Sequence, residues 1–244
     1  MDTTIFLLAI FAVGVLSGGT AAVVGFGIGS LLTPLLILRL SPELAVAVVA
    51  LPHLLATAVR YVRHAPAVHR PTFYRFGLWS AAGGLIGALL QAAFSAPALL
   101  GVLGALLVAT GLASLTGNFG ARRPTSPVAL GLGLLSGLFG GLAGNQGGLR
   151  AAGLLAFDLA PRAFLATSTA VALLVDLART PVYLVRAGST LWSLALPIAV
   201  ASAGCLLGTL WGERVLAGLS PTTYRRLVGA GVCAVGVWLL SRAL

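Results

Sequence analysis

The sequence predicts an all-α polytopic membrane protein, on three observations. Charge is too scarce for a water-facing surface, apolar runs of membrane-spanning length recur from end to end, and two glycine-rich breaks interrupt those runs at a fixed spacing. Of 244 residues, 59% are hydrophobic and 8% charged, whereas ordinary soluble domains carry roughly 25% charged residues. The formal net charge of +10 would suggest nucleic acid in a soluble protein, but here the arginines fall in short gaps between apolar runs. That placement is the pattern of cytoplasmic loops, so the expected surroundings are a lipid bilayer and no nucleic acid.

Taken in order, the first apolar run covers 5–24 and continues into more apolar sequence without a small-residue cleavage site, which predicts a span rather than a signal peptide. The next, 25–38, opens on Gly25-Phe26-Gly27-Ile28-Gly29-Ser30 and is too short for a comfortable crossing. A broken or re-entrant helix reaching mid-membrane is expected there. Runs at 44–61, 73–94 and 97–116 complete a first half, and a polar linker at 117–127 holds Arg122, Arg123, Pro124 and Pro127. The second half gives runs at 128–143, 147–157, 163–185, 191–212 and 223–240. The total is about eight to ten transmembrane or re-entrant segments.

The two halves, 1–116 and 128–244, read as repeats. An offset of 119 residues carries Leu16-Ser17-Gly18 onto Leu135-Ser136-Gly137, Gly25 onto Gly144, Gly29 onto Gly148, Pro42 onto Pro161 and Arg60 onto Arg179 without a gap. Five crossings per half would make the repeats inverted. That arrangement puts Arg63, Arg70, Arg75, Arg122, Arg123, Arg162, Arg214, Arg225 and Arg226 on one side, against Arg39, Arg186 and Arg242 on the other. Four crossings per half would dissolve most of this bias, so inverted repeats are expected. Tyr61, Phe73, Tyr74, Tyr183, Trp192, Trp211, Tyr224 and Trp238 fall near predicted span ends and read as interfacial anchors. Cys205 and Cys233 lie in separate apolar runs and read as packing residues.

The chemistry-bearing residues gather around the breaks. A broken helix presents free backbone N–H groups at the start of its second half, and these attract anions. The candidate substrate-binding residues are therefore Gly25, Gly27 and Gly29 in the first break, and Gly144, Asn145, Gln146, Gly147 and Gly148 in the second. Asn145 and Gln146 are costly in lipid unless they face a cavity. Arg150, in the first turn after the break, could grip an oxyanion bidentately, with a structural pair to Asp158 as its other reading. Thr167 and Ser168, followed by Thr169, offer hydroxyls in the next span, either to a ligand or back to their own helix.

Asp176 and Arg179 share a helical face three residues apart, so the carboxylate is either neutralised or poised to couple a proton or sodium ion. His53, in the middle of its run, is the second coupling candidate, against a purely structural reading. Arg60 lies nearer a span end and is expected to snorkel to the interface.

No phosphate-binding loop ending in Gly-Lys-Ser or Gly-Lys-Thr occurs and the chain has no lysine, so ATP-driven transport by this chain is excluded. No Gly-x-Ser-x-Gly or His-Glu-x-x-His motif is present, so no enzyme activity is expected. His64 and His69 sit in an arginine-rich loop without neighbouring acids or cysteines, and neither a metal site nor a cofactor is expected.

In its glycine clusters followed by a Leu-rich stretch and a proline (Gly25 to Pro34 with Pro42, then Gly144 to Leu155 with Pro161) and in Thr167-Ser168-Thr169, the chain resembles the sulfite exporter TauE/SafE family. The resemblance implies a small bacterial permease, an exporter of sulfite, sulfonates or related organosulfur anions. The second glycine cluster is more polar than the family's usual glycine string, and the first half lacks the Thr-Ser. The expected protein is thus a secondary transporter of a small anion in the inner membrane, working by alternating access, with a homodimer as a further expectation. An anion-selective channel, in which the breaks form a filter, is the alternative.

Overall fold

A computed structural model describes residues 2–116, 124–216 and 220–244. Most of the expected linker, 117–123, lies outside the described residues. The described chain is all-helical: α1 (Thr3–Val24), α2 (Ile28–Ile37), α3 (Pro42–His64), α4 (Arg70–Leu90), α5 (Ala96–Thr116), α6 (Ser126–Ala143), α7 (Gly147–Leu154), α8 (Pro161–Ser193), α9 (Ala195–Leu216) and α10 (Pro221–Ala243). Among the described residues, eight helices are long and apolar enough to cross a membrane, and α2 and α7 are the short ones.

Local chemistry sets the boundaries. Prolines stand in the first turn of α3, α4, α6, α8 and α10, where the missing N–H costs no helical bond. Helices α1 and α6 end on Gly25 and Gly144, both left-handed at φ 86° and 74°, the conformation that stops a helix and that glycine adopts without strain. One boundary differs from expectation. The polar stretch after Val185 does not leave the helix: α8 kinks at Ala187 (φ −120°, ψ 15°), runs on to Ser193, and yields to α9 after Leu194.

The direction of each helix follows from its neighbours. In α1 and α9, Gly14 lies on Ala201 and Gly18 on Cys205, so these two run parallel. Helices α4 and α6 also run parallel, Gly83 meeting Leu134 and Gly87 meeting Leu138. Helices α5 and α10 are antiparallel, Gly104 meeting Gly236 and Gly111 meeting Gly229. Antiparallel too are α3 and α8: the loop after α3 touches the start of α8 through His69 and Thr167, and His53 meets Asp176 midway. Close approach at these small residues is what associates helices in lipid, where burial of apolar surface supplies little drive. A methyl at Gly137 would stand 1.8 Å from the Ser80 carbonyl oxygen. Gly137→Ala is therefore expected to force α4 and α6 apart and lower the detergent-solubilised melting temperature by several degrees.

Short α2 turns back along α1: Gly27 packs on Thr20, and the Arg39 guanidinium lies 4.5 Å from the Phe6 ring centre. Short α7 turns back along α6, with Gln146 against Gly140 and Gly153 against Leu132. Each half of the chain thus opens with a hairpin whose tip is a glycine break, followed by three long helices.

Candidate functional site

The two breaks touch. A methyl on Gly29, in the first turn of α2, would stand 2.0 Å from the Gly144 carbonyl oxygen, and one on Gly147 would stand 2.2 Å from Cβ of Phe26. Gly27, at φ 141°, completes the first turn in a conformation that residues with a Cβ rarely adopt. Gly148 faces Thr110 of α5. Gly29, Gly144 and Gly147 therefore form a direct contact between α1–α2 and α6–α7, while Gly27 packs within its own hairpin and Gly25 and Gly148 face α8 and α5.

The helix ends at this junction are treated asymmetrically. On the carbonyl side, Arg60 Nη1 donates to the Ala21 oxygen at 2.6 Å, and Arg179 Nη1 donates to the Gly140 oxygen. The Tyr183 hydroxyl donates to the Gly141 oxygen, and Gln91 Nε2 to the Leu142 oxygen at 3.0 Å. The negative ends of α1 and α6 are thereby covered by side chains from α3, from α8 and from the turn after α4. On the amide side, α2 and α7 begin at Gly27 and Gln146 with no side-chain cap. Their first intrahelical bonds run from Leu31 N–H to Gly27 and from Arg150 N–H to Gln146, so the preceding amides have no helical acceptor. Positive helix ends left open beside capped negative ends make a junction electrostatically suited to an anion.

Side chains extend this polarity. Arg150 Nε donates to Ser168 Oγ at 3.0 Å and Nη2 to the Gly25 carbonyl at 3.3 Å, so Arg150 stitches the second break to the first rather than pointing along its own helix. Its Nη1 has no hydrogen-bond partner. Asn145 Nδ2 and both amide atoms of Gln146 are also buried without partners, although Ser136 Oγ holds the Gln146 backbone oxygen at 2.8 Å. Buried polar atoms are ordinarily paired, so such a cluster marks either a ligand or water. Thr167 is placed differently from its neighbour: its oxygen accepts the His69 backbone N–H at 2.9 Å, fixing the α3–α4 loop onto α8.

The coupling candidates are brought together. His53 Nδ1 stands 2.5 Å from Asp176 Oδ2. Arg179 Nε donates to Asp176 Oδ1 at 3.0 Å, with Nη2 at 2.9 Å from the same oxygen. Thr57 Oγ1 lies 3.4 Å from His53 Nδ1 and accepts from Arg60 Nη2 at 3.0 Å. One connected network thus spans α3 and α8 and reaches both breaks through Arg60 and Arg179. Asp176 and Arg179 do pair as the i, i+3 spacing predicts, but the pair also holds a histidine and a helix end.

Two expectations are corrected. Arg60 does not snorkel: it is 5% exposed, and its guanidinium turns inward because the Ala21 carbonyl and Thr57 supply acceptors there. Tyr183 is not an interfacial anchor: it is 2% exposed, with its hydroxyl on the Gly141 carbonyl.

The charges do not balance. Among the described residues, Arg60, Arg150 and Arg179 are buried against a single buried carboxylate, Asp176. Guanidinium groups keep their proton in proteins. The interior of this bundle therefore carries an excess of positive charge, at a depth where unpaired charge is costly.

The family model described as sulfite exporter TauE/SafE matches residues 10–239, from the first hairpin to the last helix. The chain belongs to the sulfite exporter TauE/SafE family. No match was found among curated proteins or among solved structures. As a TauE/SafE protein it is a multi-pass membrane transporter for a small anionic substrate and not an enzyme. The glycine breaks and Arg150 all fall within the matched residues.

Proposed function

We propose that this TauE/SafE protein is a secondary exporter of sulfite or an organosulfonate across the inner membrane, and that the substrate binds where the two breaks meet. The observation that carries the proposal is the excess buried positive charge among the described residues: three arginines, one carboxylate, and open amide ends of α2 and α7 at the same junction. A bound oxyanion would supply the missing negative charge and acceptors for Asn145 Nδ2, Gln146 Nε2 and Arg150 Nη1. Gly25, Gly27, Gly29, Gly144, Gly147 and Gly148 let backbone approach the anion, and Ser168 orients Arg150.

The two halves act as inverted repeats in this reading. Its support is the packing. Helices related by the offset, α3 with α8 and α5 with α10, run antiparallel, and the first helix of each half lies along the fourth of the other. Such an arrangement lets two alternative hairpin positions expose one site to either side. In this reading the helix ends bearing Arg63, Arg70, Arg75, Arg162, Arg225 and Arg226 share one face, which the positive-inside rule makes cytoplasmic. His53 and Asp176 then carry the coupling ion, with movement of Arg179 against Gly140 linking ion occupancy to the second break.

The test is flux of sulfite, sulfoacetate and sulfate in proteoliposomes, with and without a pH gradient. Saturable, gradient-dependent flux of one of these that falls at least tenfold in Arg150→Ala supports the reading. Unsaturable flux indifferent to the gradient would replace it with a pore.

A further inference from the structure

Both breaks hold open amides and the second adds an arginine, while the sequence offers the first as backbone alone. The structure adds a side chain to it. Thr33, in the middle of α2, is completely buried, and its Oγ1 has no hydrogen-bond partner. That oxygen lies 3.6 Å from the point a methyl on Gly144 would occupy, so the hydroxyl faces the second break from the opposite hairpin. Its usual escape, donation to the carbonyl one turn earlier on its own helix, is not taken, whereas Thr20, Thr110 and Ser114 all take it. Thr33 thus keeps a free hydroxyl at the break, as Thr180 and Ser80 do elsewhere in the bundle. The offset from Thr33 leads to Ala152, so the second half has no counterpart.

We infer that Thr33 is a substrate ligand, donating its hydroxyl hydrogen to an oxygen of the bound oxyanion from the α2 side while Arg150 and Asn145 hold it from the α7 side. The inference rests on the proposed anion site at the junction. It divides recognition between the hairpins: each supplies open backbone amides, the second adds a cation, and the first adds a single neutral hydroxyl. Because Thr33 and Arg150 ride on different hairpins, the anion would bridge them and dock one on the other.

Uptake kinetics in proteoliposomes and thermal unfolding of the purified protein test this with Thr33→Val, Thr33→Ser and Thr33→Ala, alongside Arg150→Ala. Valine keeps the shape and removes a hydroxyl that has no protein partner, so Thr33→Val is expected to melt at or above the wild-type temperature. Its KM for sulfite is expected to rise roughly tenfold with kcat within about twofold, as the loss of one hydrogen bond to a charged ligand predicts. Thr33→Ser should keep KM within about twofold of wild type and Thr33→Ala should match the valine variant. Wild-type KM in Thr33→Val and Thr33→Ala would overturn the inference while leaving the site intact, provided Arg150→Ala still loses flux. Wild-type flux in Arg150→Ala as well would remove the site itself. A raised KM accompanied by a lowered melting temperature in Thr33→Val and Thr33→Ala would assign Thr33 to packing and also overturn the inference.

Discussion

Gly29→Ala is expected to abolish transport and to cost about 3 kcal/mol or more of stability, the upper end for overpacking. Its methyl would lie 2.0 Å from the Gly144 carbonyl oxygen. Neither partner can swing aside, since one is backbone at a left-handed helix end and the other a first-turn residue of a short buried helix. The hairpins would have to separate, taking Arg150 from the Gly25 carbonyl. Gly131→Ala and Gly231→Ala are the controls: a methyl there meets nothing within 4 Å, and alanine is the better helix former by about 1 kcal/mol. These two should melt at or above the wild-type temperature and transport normally. A Gly29→Ala protein that melts and transports like wild type would mean that the breaks are not in contact.

Asp176→Ala has the second large expected effect. It removes the one described buried carboxylate and strands Arg179 and His53. Breaking a buried ion pair from one side typically costs about 3–5 kcal/mol, because the remaining charge stays in a low-dielectric interior. Thermal unfolding should show that loss. Removing both partners, as Asp176→Leu with Arg179→Met, should recover most of the stability. It should not recover transport, because the Gly140 carbonyl loses its donor and the network its ionisable centre. Asp176→Asn keeps the shape but not the charge, and its flux should no longer respond to a pH gradient. Full gradient-dependent flux in Asp176→Asn would remove Asp176 from coupling.

How much of this was readable in the chain depended on the range of the forces involved. Lipid forces each span to be apolar and long by itself, so the runs that became α1, α3, α4, α5, α6 and α8 stood out from local sequence. Gly25 and Gly144 were legible for the same reason, since only a residue tolerant of positive φ ends a helix that way. The Asp176–Arg179 pair followed from i, i+3 spacing on one helix. The α8–α9 boundary did not follow, because polarity in 186–190 is compatible with a kinked helix reaching an interface as well as with a loop.

The inward turn of Arg60, the burial of Tyr183 and the unpartnered hydroxyl of Thr33 were set by which helix lies opposite, and no local pattern records that. His53 is the clearest case. Its own neighbourhood left it a lone histidine, and only the antiparallel pairing of α3 with α8 brings Asp176 within 2.5 Å. Arg150 shows the converse: the sequence singles it out as an anion ligand, but its contacts, Ser168 and the first break, lie far along the chain.

Equilibrium binding of sulfite to the purified protein, wild type against Arg150→Ala, tests the central claim most directly, since it needs neither a gradient nor a direction of transport. One saturable site per chain in wild type, weakened at least tenfold in Arg150→Ala while the variant's melting temperature without ligand stays near that of wild type, is the result expected of an anion site at the meeting of the two breaks. Equal affinity in both proteins would contradict it.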